Sequence, residues 1–229
     1  MSTTKKVTDF PEMEKRFVIS EGGYKLTSPR VEVEVVAVIG RTGRPYDALQ
    51  YVDQPNVNVL VWGTDYDGKI RIGIHRQARS QPDNPENPES FEPVFFAGLA
   101  GGYFDKNESV IEAATREANE ELGLVGAGIS IITVELPSHP YHNMDSALYK
   151  TWTQIAFVEV DLTKLPENLK GNLDEDEIID RIEFVSLKDI FLMIRDGKDR
   201  YGAFLRSADT NSAILIFLAH HPQFLSQLS

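Results

Sequence analysis

A mixed α+β fold, in which one sheet is flanked by a few helices, is what this 229-residue sequence predicts. Short segments alternate apolar and polar residues, as half-buried strands do. Helical periodicity is confined to a few stretches, and the central one is unusually acidic. No repeat or low-complexity tract is present, and strands and helices do not alternate regularly enough for a doubly wound sheet.

Taken in order, residues 1–17 are polar and charged and predict an arm or a short helix. Val31–Ile39 (VEVEVVAVI) alternates and then turns apolar, a strand entering a core, and Gly40–Pro45 is a turn. Asn56–Trp62 and Lys69–Ile74 both alternate, with turn residues Asp65–Gly68 between them, and predict a hairpin. Arg79–Pro93 is a long polar loop. Ile129–Leu136 and Trp152–Val160 read as strands on either side of the loop Ser138–Lys150, which holds His139, Tyr141 and His142. An acidic run at Asp174–Asp180 precedes a strand near Ile182–Val185. Leu187–Ile194 and Ser207–Ala219 read as helices, the second apolar enough to be buried.

Charge and composition exclude several functions. A net charge of −12 opposes binding to a nucleic-acid backbone, which needs lysine and arginine to release counterions. It does not exclude phosphate chemistry if a metal ion carries the positive charge. The absence of cysteine removes disulfides, thiolate catalysis and cysteine metal sites. No stretch has the core of a secretory signal or the length of a membrane span, so a cytoplasmic protein that does not engage a membrane is expected.

The most informative stretch is Gly102–Leu124, GYFDKNESVIEAATREANEELGL. Ser109 and Glu112 have capping-box spacing, and Gly123 stands where a helix C-terminus favours positive φ. Val110, Ile111, Ala114, Ala118 and Leu122 form an apolar stripe at helical spacing. Glu117, Glu120 and Glu121 place carboxylates together on the other face, where like charges destabilise a bare helix. That repulsion calls for a positive partner from outside the chain. A solvated acidic face is the plain alternative.

The spacing of Gly102, Glu108, Arg116-Glu117, Glu120-Glu121 and Gly123-Leu124 resembles the Nudix box at every fixed position. Ala118 stands where a bulky aliphatic is usual. Leaving Leu124 aside, the seven remaining residues at ordinary usage match by chance at most about a few times in a million at this length. The resemblance implies an α/β/α sandwich with a mixed sheet over residues 56–229, preceded by a β-rich extension over residues 1–55 that serves dimerisation. It implies Mg2+ or Mn2+, hard cations that carboxylates suit, and hydrolysis of a nucleoside diphosphate linked to another group. Carried over by position, Glu117 and Glu121 are metal ligands, Glu120 a direct or water-mediated one, and the Gly101 carbonyl another. Glu108 and Arg116 pair to hold the loop against the helix.

Further cues resemble the ADP-ribose pyrophosphatase subfamily. Arg76 and Arg79 lie in an arginine-containing segment before the box and are candidates for substrate binding. Pro140 falls sixteen residues after Leu124. Glu175 and Glu177 lie where that subfamily carries a late-loop glutamate, and are candidates for the base or a further metal contact. The lead-in Gly98-Leu99-Ala100-Gly101-Gly102 lacks the usual glutamate and proline. A small-molecule nucleoside diphosphate derivative, most simply ADP-ribose cleaved to AMP and ribose 5-phosphate, and a homodimer are therefore expected. Other nucleoside diphosphate sugars, dinucleoside polyphosphates, and a non-catalytic nucleotide-sugar sensor are the alternatives. The loops 80–90 and 138–150 have no assigned role.

Overall fold

The computed structural model describes residues 18–19, 25–27, 32–39, 45–52, 54–79, 94–137, 141–142, 152–163, 169–170, 179–205 and 208–228. Two compact units emerge, Met1–Pro55 with Tyr141–Trp152, and Asn56–Pro140 with Thr153–Ser229.

The first unit contains a sheet of β1 (Val18–Ile19), β2 (Lys25–Thr27), β3 (Glu32–Ile39) and β4 (Pro45–Val52), each antiparallel to the next. Strand β3 is the one expected from the Val/Glu alternation. Strand β4 was not expected: PYDALQYV alternates weakly, and its proline sits at the first residue, where a missing N–H costs little.

In the second unit, β5 (Asn56–Thr64) and β6 (Ile70–Arg79) form the anticipated hairpin. Its turn closes where Gly68 N–H donates to the Asp65 carbonyl, with Gly68 at φ 74°, and Asp65 Oδ1 accepts the Asp67 and Lys69 N–H groups. Strands β7 (Val94–Gly98) and β8 (Ala100–Tyr103) follow, and neither was expected, because FFAGLAGGY has no period of two and is dense in glycine. Helix α1 (Val110–Leu122) and β9 (Ile131–Glu135) come next. The chain returns to the first unit for β10 (Tyr141–His142), then continues with β11 (Trp152–Asp161), β12 (Ile179–Ser186), α2 (Leu187–Asp196), α3 (Ala208–His220) and a 3-10 segment, Pro222–Leu228.

Strands β11, β5, β6 and β12 lie side by side, with β7 on β6, β8 on β5 and β9 on β11. Strand β11 runs parallel to β5 and the other pairs are antiparallel, so the sheet is mixed, as expected. Alternation sorts the core into two layers. Val57, Val59 and Val61 of β5 and Ala156, Val158 and Val160 of β11 join Ala114, Ala118 and Leu122 of α1. The intervening Trp62 and Phe157 meet Phe217 of α3, with ring centroids 5.4 Å apart in both pairs. Helix α1 therefore covers one face and α3 the other, an α/β/α sandwich.

Two expectations about α1 need correction. Ile111, assigned to the apolar stripe, is half exposed, and Ala113 is buried in its place. Glu117 and Glu121 do not share a solvated face: they are 7% and 4% exposed and stand among the buried alanines. Three alanines, Ala113, Ala114 and Ala118, share that side of α1 with Leu122, and their small side chains leave room for the two carboxylates. Helix α3 is buried along Ala213, Ile214, Phe217 and Leu218 but exposes Leu215.

Candidate active site

Helix α1 is held at both ends by its own sequence. The Ser109 hydroxyl accepts the Glu112 N–H at 3.3 Å, and the Glu112 carboxylate accepts the Ser109 N–H at 2.8 Å, a complete capping box. Gly123 ends the helix at φ 63° and donates its N–H to the Asn119 carbonyl at 2.9 Å. These caps fix which way the turns face, and so where the acidic side chains emerge.

Arg116 lies at the centre of the acidic cluster. Its Nε and Nη2 donate to the two oxygens of Glu108, each at 2.9 Å, a bidentate pair that ties the loop to the helix. Nη1 donates to Glu117 Oε1 at 2.7 Å and to Glu120 Oε2 at 3.1 Å, and Nη2 also reaches the Tyr103 carbonyl. Hydrogen bonds from Arg116, opposed by burial and aided by the Asp105 N–H, hold the Glu108 carboxyl below its ordinary value. The same pairing, Glu108 first, pushes the guanidinium further above its own. With Asp105 at 3.7 Å, four carboxylates surround this one guanidinium, and those of Glu108 and Glu117 are largely out of water.

Glycines on β8 make that burial possible. A Cβ on Gly102 would collide with the Glu117 carboxylate, and one on Gly101 would collide with the Val57 carbonyl. With only hydrogens there, Glu117 lies flat against the strand. The Gly101 N–H donates to Glu121 Oε2 at 2.7 Å. Among the described residues no group of three or more His, Cys, Asp or Glu side chains already converges on a point that an ion could fill. The reason is visible in the hydrogen bonds: the guanidinium spans Glu117 and Glu120, while Glu121 is turned onto Gly101. The donor set is all oxygen, with Glu117 and Glu121 buried and Glu120 half exposed, and it fits a hard divalent cation.

The structure brings Glu108, Arg116, Glu117, Glu120, Glu121 and Gly101 together and places Arg76 elsewhere. On β6, Gly73 and His75 face α1, since a Cβ on Gly73 would meet Leu122 and Phe184. Ile74 and Arg76 face the other way, beside their cross-strand partners Glu183 and Arg181. They line a cavity of about 330 Å³ with Val185, Leu192, Met193 and Asp199. There Arg76 lies 3.3 Å from Asp199 and 3.5 Å from Asp180, and against the rings of Phe95 and Tyr201. The side chain of Arg79, the residues Glu175 and Glu177, and the loops 80–90 and 143–150 lie outside the described residues.

Sequence reasoning missed His75 beside the acidic cluster, and Asn58 and Asp209 on the α3 side of the sheet. His75 is 5% exposed and its Nδ1 is 3.7 Å from Glu121 Oε2. No motif spacing marks it in the strand IRIGIHRQAR. Asn58 stands opposite Gly101 in the β5–β8 ladder and bonds Asp209 at the start of α3. Burial pushes the Asp209 carboxyl up, against the pull of that hydrogen bond.

Comparison with known proteins agrees with this geometry. The model of the NUDIX domain matches residues 53–207. A solved structure described as an ADP compounds hydrolase is similar over 89% of this chain and 91% of its own, with a TM-score of 0.55 and 18% identity, a likeness of fold. No curated protein matches the sequence. With a family match across more than half of its length, and the box residues gathered around one guanidinium, the chain belongs to the Nudix family.

Proposed function

We propose that the protein is a divalent-metal-dependent Nudix pyrophosphohydrolase acting on a nucleoside diphosphate derivative, with ADP-ribose as the leading substrate. The observation that carries this reading is the gathering of Glu108, Glu117 and Glu120 on the guanidinium of Arg116, beside the buried Glu121. Glu117, Glu120, Glu121 and the Gly101 carbonyl would hold Mg2+ or Mn2+. When bound, the ion supplies charge neutralisation at the phosphates and a more acidic water.

The chain's own residues set the frame for that chemistry. Glu108 fixes Arg116 bidentately, and Arg116 fixes the carboxylates of Glu117 and Glu120. In the reaction a water oxygen bonds to one phosphorus and the bridging P–O bond of the diphosphate breaks, leaving two phosphate monoesters. For ADP-ribose these are AMP and ribose 5-phosphate. Glu175 or Glu177 is the proposed base and Arg79 a proposed substrate contact. Arg76 is supported less, because Asp199 and Asp180 already partner it on the far face of β6.

The subfamily rests on the arginine-containing segment, Pro140 and the acidic late loop. A homodimer and a cytoplasmic location belong to the same reading; no helix among the described residues is long and apolar enough to cross a membrane. The decisive experiment is turnover of a panel of nucleoside diphosphate derivatives with Mg2+, using wild type and Glu121→Gln. The variant is expected to stay folded and lose nearly all turnover, and retained activity sinks the assignment. ADP-ribose ranking among the poor substrates overturns the subfamily reading alone.

A further inference from the structure

Strand β6 and helix α1 approach closely enough that a Cβ on Gly73 would lie 2.8 Å from Leu122 Cδ1. Two residues along the strand, and one residue back along the helix, that approach sets His75 against Glu121. Both side chains are buried, 6% and 5% exposed, with Nδ1 and Oε2 separated by 3.7 Å. His75 is locked in place from both sides, since β6 pairs it with Gly98 on β7 and with Ile182 on β12. The same Oε2 accepts the Gly101 N–H at 2.7 Å. One oxygen of Glu121 is thus addressed by two groups belonging to two different strands.

We infer that His75 is a positioning residue for Glu121. With the Gly101 N–H it anchors Oε2, which turns the other carboxylate oxygen toward the metal that Glu117 and Glu120 share. The inference rests on the metal reading above. The physical reason is selection among rotamers. A glutamate has three freely rotating bonds, and one backbone donor restrains its oxygen without fixing the plane of the carboxylate. A second group on the same oxygen, approaching from β6 rather than β8, fixes that plane. The present 3.7 Å exceeds an ordinary N–H···O distance by about 0.7 Å, a gap that a small rotation of the carboxylate closes. Outer partners of this kind commonly account for about ten- to a hundredfold in metal affinity.

The role inferred for His75 is geometric: it holds Oε2 of Glu121 in place. A substitution that keeps a donor at the Nδ1 position should preserve function, and one that keeps only volume should not. Asparagine places its side-chain amide where Nδ1 stands; phenylalanine fills the ring space without a polar atom.

The test is Mn2+ binding by calorimetry and by electron paramagnetic resonance titration, without substrate, on wild type, His75→Phe, His75→Asn and Glu121→Gln. His75→Phe is expected to weaken Mn2+ at least about tenfold, with kcat at saturating metal changed less than about threefold, and His75→Asn to recover most of the affinity. Thermal unfolding of each variant reads folding separately, and His75→Val replaces phenylalanine if that variant does not fold. Equal Mn2+ affinity in wild type and His75→Phe overturns the inference, as does an equal loss in the asparagine and phenylalanine variants. Failure of the metal reading looks different: Glu121→Gln would then bind Mn2+ as wild type does.

Discussion

The two faces of β6 carry adjacent residues to different fates. His75 points to α1 and meets Glu121; Arg76 points away and meets Asp199 in a cavity behind the sheet. Both are largely buried, and both lie close to carboxylates. On the α1 face the single guanidinium of Arg116 is shared by Glu108, Glu117 and Glu120 at once. On the far face the lining is balanced, with Arg76, Arg181, Lys198 and Arg200 against Glu183, Asp189, Asp196 and Asp199. Tyr201 adds to that balance, donating to Glu183 Oε1 at 2.8 Å while Arg181 and Arg200 stack on its ring. Charges paired one to one leave little for a ligand to add, whereas several carboxylates crowded on one guanidinium suit a hard divalent cation. The difference singles out the α1 face for chemistry.

Each test of this contrast strains one face. The largest effect is expected from Gly102→Ala, whose new Cβ would occupy the place of the Glu117 carboxylate. Glu117 would be driven off the strand, and turnover measured against metal concentration should fall about a hundredfold or more. Next is Arg116→Met, which strips the shared guanidinium from Glu108, Glu117 and Glu120. Denaturant unfolding should show a loss of roughly 2–4 kcal/mol, below the fully buried limit because Arg116 retains 26% exposure. Added Mn2+ should restore part of that stability if the carboxylates bind it.

Arg76→Met probes the far face. It should cost about 1–3 kcal/mol by removing the guanidinium that faces Asp199 Oδ2, while KM for the best substrate moves less than about threefold. A tenfold or greater rise in KM would return Arg76 to the substrate site and break the contrast.

The smallest effects concern acidity. Glu108 has a lowered carboxyl in the folded protein, so its contribution is present above its unfolded value near 4.5 and is lost as pH falls through the lower folded value. Glu108→Gln should therefore reduce stability at pH 7 and flatten its decline below about pH 4.5. Asp209 has the opposite sign. Its raised carboxyl is a liability that grows as pH rises through the folded value, so Asp209→Asn should raise the unfolding midpoint at pH 7 and leave it nearly unchanged in acid. A midpoint that responds equally at both pH values would show that burial of Asp209 is not what sets its effect.

What was legible in the sequence was local. The capping box, Gly123, the Asp65–Gly68 turn and the β5–β6 alternation each depend on residues within a few positions of one another, and all appear where expected. The Nudix spacing belongs to this class, because it spans one loop and one helix whose geometry short-range forces determine. Strands β7 and β8 were illegible for the opposite reason. The β8 glycines Gly101 and Gly102 admit the Val57 carbonyl and Glu117, contacts that no window of neighbouring residues contains.

The chain by itself determined the family, the reaction class it implies and the identity of the acidic helix. Tertiary structure alone decided that Glu117 and Glu121 are buried, that His75 joins Glu121, and that Arg76 does not. Each of those outcomes depends on which face of β6 or β8 a side chain leaves from and on what the opposing layer leaves room for. A one-residue step reverses the face, and long-range packing selects the layer.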